Sequence, residues 1–153
     1  MAEVRHPLAV KVLAAAKKYA DEGYAEGPNN DTIFGKRYGM NHQPWCAMFV
    51  SGCFDDAGIV HLVAASTKKG FASCDAGAQW FAKNKRIVPI GQAQPGDVVF
   101  FNFDKTPTDT EQVGIVYRMT ERIYIVLKET LQVMQRDHRQ MEMAYSLRRE
   151  PTA

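Results

Sequence analysis

The sequence lacks the segments that mark secreted, membrane-spanning and repetitive proteins. No apolar run approaches the roughly 18 residues that a membrane-spanning helix needs, so we expect no membrane insertion. The first residues, MAEVRHPLAV, carry no charged region followed by an apolar core, so we expect no signal peptide and synthesis in the cytoplasm. No internal repeat is visible, and 153 residues are enough for one full core. We therefore predict a single domain over residues 1–153.

The sequence also lacks a large net charge, and its cysteines and acidic residues do not have the spacing of metal ligands. The 19 Lys and Arg residues exceed the 17 Asp and Glu residues by two, an imbalance too weak to indicate a nucleic-acid partner. The three cysteines, at positions 46, 53 and 74, match no zinc spacing, and no calcium loop of the Asp-x-Asp-x-Asp-Gly type occurs. We therefore expect no metal and no cofactor, and free thiols in a reducing compartment.

The first half of the chain has the apolar spacing of helices, and the second half has the β-branched and aromatic composition of strands. Apolar spacing predicts helices over residues 7–22, 45–57 and about 73–84, and the Gly-, Asn- and Pro-rich residues 23–44 form a long connection between the first two. After the turn signal QPGD, four β-branched and aromatic stretches predict about four strands: DVVFFNF, QVGIVYRM, RIYIVLKETLQV and MEMAYSLRR. Helices followed by strands predict an α+β domain with a mostly antiparallel sheet.

Cys46 lies at the start of the second predicted helix. The positive end of the helix dipole would lower the pKa of a thiol there, and Trp45 beside it could form the wall of a groove. The competing interpretation is a packed core thiol, because free cysteine is among the most buried residue types. The inward face of this helix is predicted to carry Cys46, Phe49, Val50 and Cys53, and Cys53 and Cys74 are interpreted as core thiols.

Several blocks together resemble one family. The stretches PWCAMFVSGCFDDAGI, GQAQPGDVVFFNFD and QVGIVYRM resemble, in order, those of the CHAP family of cysteine, histidine-dependent amidohydrolases and peptidases. NNDTIFGKRYGMNHQPWCAMFVS and KGFASCDAGAQWFAKN are similar to versions in lysins of phages that infect actinobacteria. The resemblance covers about residues 7–119. It implies a papain-like α+β fold, with N-terminal helices packed on a C-terminal sheet, and Cys46 as the nucleophile that attacks amide bonds of peptidoglycan. We expect Tyr38, His42 and Trp45 to line the substrate groove.

The residue that should take the proton from Cys46 departs from the family pattern. Where the family has His-Val-Gly-Ile-Val, this sequence has QVGIV, so Gln112 occupies the histidine position. A glutamine amide has no proton acceptor that titrates near pH 7. The acid that orients the histidine is expected on the next strand. If Thr130 is aligned with the family's threonine, Leu127 occupies the acid position, whereas a slip of one or two residues places Glu129 there. His42, four residues before Cys46, is an alternative base, and His138 is a weaker one. His6 and His61 are interpreted as surface or loop residues.

Three functions stay open on this sequence. The first is a peptidoglycan amidase or endopeptidase from a phage lysin or a virion, either inactivated at Gln112 or rescued by another base. The second is a pseudoenzyme whose groove binds wall peptides or a phage protein partner. The third is a structural component that reuses the fold. In the first two cases the chain would act at the bacterial cell wall, after release or as part of a virion.

Overall fold

The chain forms its helices first and its sheet second. The computed structural model describes residues 7–84, 87–88, 94–101, 112–118, 122–127, 130–135 and 141–145. Its helices are α1 (Pro7–Asp21), α2 (Ile33–Tyr38), α3 (Cys46–Asp56) and α4 (Cys74–Lys83), with short 3-10 turns at Pro28–Asn30 and Val60–Val63. The three helices predicted from periodicity are confirmed to within about one residue at each end. Within the described ranges, no helix has both the length and the apolarity that crossing a bilayer requires.

Helix α2 lies inside the segment that was predicted as a long connection. Thr32 caps its N-terminus, since the Thr32 Oγ1 accepts a hydrogen bond of 2.8 Å from the Gly35 N–H. Gly39 ends the helix at a φ of 92°, a left-handed conformation that suits glycine. The interpretation of residues 23–44 as one irregular connection was therefore wrong. The helix was not predicted because six residues are too few to show a helical period within a Gly-, Asn- and Pro-rich segment.

Within the described residues the sheet has six strands, all paired antiparallel, in the order β1-β6-β2-β3-β4-β5. The strands are β1 (Ile87–Val88), β2 (Val98–Phe101), β3 (Gln112–Arg118), β4 (Arg122–Leu127), β5 (Thr130–Gln135) and β6 (Met141–Tyr145). The stretch RIYIVLKETLQV, predicted as one strand, is two strands, and the ends of its hairpin pair Leu127 with Thr130. The prediction of about four strands was therefore too low.

Helix α3 is the central element of the core. It packs against α1, α2 and β3, and every residue from 47 to 54 is buried. The prediction of a single inward face was wrong, because Ser51 and Gly52 on the other side are buried too. The close packing is visible at Gly52, where a Cβ atom would come within 2.7 Å of the Phe34 ring. The start of this helix is consequently held by packing on several sides.

Phe71 links α3 to α4. The Ser51 hydroxyl of α3 accepts a hydrogen bond of 3.0 Å from the Phe71 N–H, and the same oxygen lies 2.9 Å from the Phe71 carbonyl oxygen. On the other side, the Phe71 ring packs against α4 at Gly77, where a Cβ atom would lie 2.6 Å from it. Both helices are therefore fixed against one buried residue. This arrangement determines where the first residues of α3 and α4 lie relative to each other.

Candidate active site

Cys46 is the first residue of α3 and is half-buried. The pKa of its thiol is lowered, chiefly by the hydrogen bond that its sulfur shares with the Cys74 thiol. Backbone N–H groups of Val113 and Ala47 add to this lowering, whereas burial opposes it. The positive end of α3 favours negative charge at the same place. The prediction that Cys46 begins its helix is confirmed, and its surroundings stabilise a thiolate.

Cys74 provides a second thiol at this site. It is the first residue of α4, and its sulfur lies 3.5 Å from the sulfur of Cys46, although 28 residues separate the two in sequence. The pKa of Cys74 is raised, first by this contact and then by burial. The shared hydrogen bond therefore favours ionisation at Cys46, where backbone N–H groups lower the pKa as well.

Cys74 packs against the core, as its interpretation as a core thiol implied, but it is only half-buried and its sulfur also contacts Cys46. The sequence carried a signal for its position, because Ser73 directly before it is a favourable helix N-cap. The Ser73 hydroxyl accepts a hydrogen bond of 3.3 Å from the Ala76 N–H. What the sequence could not show is that the starts of two separate helices meet. Cys53, in contrast, is fully buried, and burial raises its pKa, so its interpretation as a core thiol is confirmed.

Gln112 is the first residue of β3 and pairs with Phe101 of β2. The backbone N–H of the next residue, Val113, is one of the groups that lower the pKa of the Cys46 thiol. Strand β3 therefore passes the thiol immediately after Gln112. Glu129, the tentative orienting acid, lies outside the described residues, between the end of β4 and the start of β5. Its proposed role stays a prediction.

Trp45 lies below the thiol, in the core. Its side chain is 2% exposed and stacks on Phe34, with ring centroids 5.6 Å apart and planes inclined by 6°. Tyr24 and Phe49 contact the indole edge-on. The indole therefore does not form the exposed wall of a groove, as its position beside Cys46 had suggested. It supports the start of α3 from inside an aromatic cluster.

Tyr38 and His42 lie apart from the thiol pair. Tyr38, half-buried at the end of α2, lines a pocket of about 270 Å³ together with Arg37, Lys68 and Lys69, and Cys46 is not among the described residues that line it. His42 is exposed, and its Nδ1 donates a hydrogen bond of 2.8 Å to the Asn29 carbonyl oxygen. Among the described residues, no hydrogen bond joins His42 to Cys46. The structure thus gives no contact by which His42 could act as the base.

The other histidines offer no base within the part of the chain that the structure describes. His61 lies in the 3-10 turn Val60–Val63, and His6 and His138 fall outside the described ranges. No group of three or more His, Cys, Asp or Glu side chains among the described residues is arranged to hold a metal ion. The site therefore combines a thiol whose pKa is lowered with the backbone N–H groups of Val113, Ala47 and Cys46 itself. Cys74 is the titratable side chain that the described structure places in contact with Cys46.

Comparisons with known proteins support the fold. No protein-family model matches the sequence, and no curated protein matches it. A solved structure from Staphylococcus aureus, described as similar to a lipoprotein of the NLP/P60 family, superposes with a TM-score of 0.58 at 15% sequence identity. The match covers 97% of this chain and 44% of that one, so this chain spans less than half the length of its structural neighbour. The likeness does not single out the CHAP family. It shows that the chain has a papain-like α+β fold, with helices packed on an antiparallel sheet.

Proposed function

We propose that this chain is a CHAP-type cysteine hydrolase domain that attacks amide bonds of bacterial peptidoglycan, as part of a phage lysin or a virion enzyme. The observation that carries the proposal is the position of Cys46. Its sulfur lies at the N-terminus of a buried helix, and the Val113 N–H of the facing strand lowers the pKa of its thiol. A thiolate held in this way is a competent nucleophile for an amide carbonyl.

Proton transfer is the step that this site performs poorly. The amine that leaves a cleaved amide must receive a proton, and the family's histidine is replaced by Gln112. Loss of the general base costs on the order of 10⁶ in kcat in serine hydrolases, and less is expected here because a thiolate needs no activation. Cys74 is a poor substitute, because its raised pKa keeps the proton on its sulfur. We therefore propose slow turnover by the native chain.

The charge of the neighbouring pocket suits a wall ligand. Lys68 and Lys69 are exposed at its rim, and no ion pair involves them among the described residues. Arg37 already binds Asp55 and Asp56, at 2.7 and 2.9 Å. The two lysines are therefore free to attract the anionic groups of a bacterial wall at low ionic strength.

A binding module is the second candidate, and Gln112 is the observation that favours it. A glutamine amide donates and accepts hydrogen bonds without titrating, so it can hold a wall peptide that the domain does not cut. In this case Cys46 would be retained for contact with the ligand rather than for turnover. The two candidates share the ligand and differ in whether a bond is broken.

Release of amino groups from purified actinobacterial peptidoglycan tests the proposal. The wild type should release few, Gln112→His should release at least about tenfold more because it restores an imidazole, and Cys46→Ala should release none. Gln79→His, at an exposed position of α4, is the matched control and should behave as the wild type. A folded Gln112→His variant that sediments with the wall and shows no gain would favour the binding module. Rapid release by the wild type would contradict the impaired proton transfer.

A further inference from the structure

We infer that Cys46 and Cys74 form a redox site in which hydrogen peroxide oxidises Cys46 and Cys74 closes an intramolecular disulfide. The site takes a small hydroperoxide as its oxidant and uses no other group. The inference goes beyond the proposed hydrolysis and does not depend on it. It concerns the two thiols themselves, whether or not the domain cuts peptidoglycan.

The positions of the sulfurs carry the inference. They lie 3.5 Å apart in contact with each other, and a disulfide requires about 2.05 Å, so closure needs a movement of only about 1.5 Å. Both residues are half-buried, which leaves access for a molecule as small as hydrogen peroxide. Two thiols brought together from positions 28 residues apart are a specific feature of the tertiary structure.

The packing of Ser51 and Gly77 against Phe71, called here the Phe71 frame, keeps the two sulfurs together. Ser51 of α3 bonds to both backbone groups of Phe71, and Cys74 follows only three residues later. Gly77 of α4 packs directly on the Phe71 ring. Cys46 and Cys74 each begin a helix that is anchored to this residue, so their separation is set by packing rather than by the mobility of a loop.

The chemistry balances with the peroxide as the two-electron oxidant. The Cys46 thiolate attacks one peroxide oxygen, the O–O bond breaks, and hydroxide leaves and takes a proton to form water, giving Cys46–SOH. The Cys74 sulfur then attacks the sulfur of the sulfenic acid, the S–O bond breaks, and the hydroxyl leaves with the Cys74 proton as a second water. In total, two thiols and one peroxide give one disulfide and two waters. A dithiol reductant reverses the result.

The roles of the two cysteines follow from their different surroundings. Cys46 is the more acidic thiol because the hydrogen bond shared with Cys74 and three backbone N–H groups lower its pKa, so it reacts first. Cys74 stays protonated until the sulfenic acid forms beside it. Cys53 is fully buried in the same helix as Cys46 and serves as an internal control for oxidation that is not directed to the site.

Formation of the disulfide would switch the nucleophile off. The sulfur of Cys46 is consumed in the bond, so the domain cannot attack an amide until it is reduced. The same bond protects Cys46 from irreversible oxidation to the sulfinic acid. A domain that is made in a reducing compartment and acts outside it would meet both states of the pair.

Thiol counting and peptide mapping test the inference on the whole chain. The protein is reduced, freed of reductant, treated with one equivalent of hydrogen peroxide, alkylated and digested. We expect free thiols to fall from three to one, a linked peptide that joins Cys46 to Cys74, and recovery of both thiols with a dithiol reductant. Cys46 should react at least about tenfold faster than Cys53.

Three variants make the result decisive. Cys74→Ser keeps a similar shape but cannot close the bond, so its Cys46 should accumulate as a sulfenic acid that dimedone traps, while Cys46→Ser should form no linked peptide. Cys53→Ala should behave as the wild type. Circular dichroism before oxidation confirms that each variant is folded. Equal dimedone trapping in the wild type and Cys74→Ser, or a disulfide that joins two protein molecules instead, would overturn the inference.

Discussion

The backbone N–H of Val113, on β3, lowers the pKa of the Cys46 thiol at the start of α3, so the strand and the helix meet near this sulfur. This contact fixes the register of the candidate site, since Gln112 immediately precedes Val113 on the strand. Cys46 thus lies where the N-terminus of a helix faces a strand, within the papain-like fold that the resemblance implied. A second thiol, from Cys74, lies beside the first.

The acidity of Cys46 should depend on Cys74. The hydrogen bond from Cys74 is the largest cause of the lowered pKa of Cys46, so Cys74→Ala should raise that pKa and move the alkylation of Cys46 to higher pH. The rate of iodoacetamide labelling at Cys46, followed by mass spectrometry across pH, measures the shift. Cys53→Ala is the control and should leave the profile unchanged. An unchanged midpoint in folded Cys74→Ala would contradict the role assigned to the hydrogen bond.

Ser51→Ala should destabilise the fold by more than the removal of one small hydroxyl group suggests. The Ser51 hydroxyl is buried and bonds to the N–H of Phe71, which would be left without this partner. We expect a loss of about 1–3 kcal/mol in the free energy of unfolding, measured by urea denaturation. Ser66→Ala, at an exposed position, should change it by less than about 0.5 kcal/mol. Equal effects of the two substitutions would show that the Phe71 frame contributes little.

Gly35→Ala should also destabilise the protein, although alanine is the better helix former by about 1 kcal/mol. A Cβ atom at Gly35 would lie 2.7 Å from the Asn41 side-chain oxygen and 2.9 Å from the Asn41 Cα, and the backbone atom cannot easily move away. We expect a net loss of about 1–3 kcal/mol by denaturation. At Gly27 the nearest contacts of a Cβ atom begin at 3.4 Å, so Gly27→Ala should be milder. A stabilising Gly35→Ala would show that this turn is loosely packed.

Tyr19 should make stability depend on pH in alkaline solution. Its hydroxyl donates a hydrogen bond of 2.6 Å to Asp56, and burial together with this bond raises its pKa from 10.0 to about 12. The raised pKa means that the protonated phenol stabilises the fold fully below pH 10, and that this contribution is lost as pH rises from 10 towards 12. Relative to Tyr19→Phe, the wild type should therefore lose up to about 2–3 kcal/mol over this window.

Denaturation of both proteins at several pH values in this window measures that difference. Tyr38→Phe is the control, since the structure gives the Tyr38 hydroxyl no hydrogen bond among the described residues, and its stability should stay parallel to that of the wild type. Parallel curves for Tyr19→Phe and the wild type would instead show that the bond to Asp56 does not hold the proton.

Sequence patterns were sufficient for the long helices and for the class of the fold. Periodicity located α1, α3 and α4, because each is at least ten residues long and carries enough apolar positions to show its period. Helix α2 has only six residues and was missed. The β4–β5 hairpin was missed for a related reason, since its two strands are joined by the two residues Lys128 and Glu129, which contain neither glycine nor proline to signal a turn.

Only those features of the candidate site that lie within a short sequence motif could be predicted. The position of Cys46 at a helix start and the glutamine at the family's histidine position can both be inferred from short motifs. The contact between Cys46 and Cys74 depends on how Phe71 packs between two helices, which no local pattern encodes. Trp45 was misplaced for the same reason, because its burial depends on the rings of α2 and of the loop before it.

The most direct test of the central claim is the ionisation of Cys46 with an imidazole at position 112. If that position faces the thiol, Gln112→His should create a thiolate–imidazolium pair and move the appearance of thiolate absorbance in the ultraviolet to lower pH than in the wild type. Cys46→Ala in the same background should remove the signal, and Gln79→His should leave the wild-type curve unchanged. Identical titration curves for folded Gln112→His and the wild type would contradict the account, because they would show that position 112 does not face the sulfur.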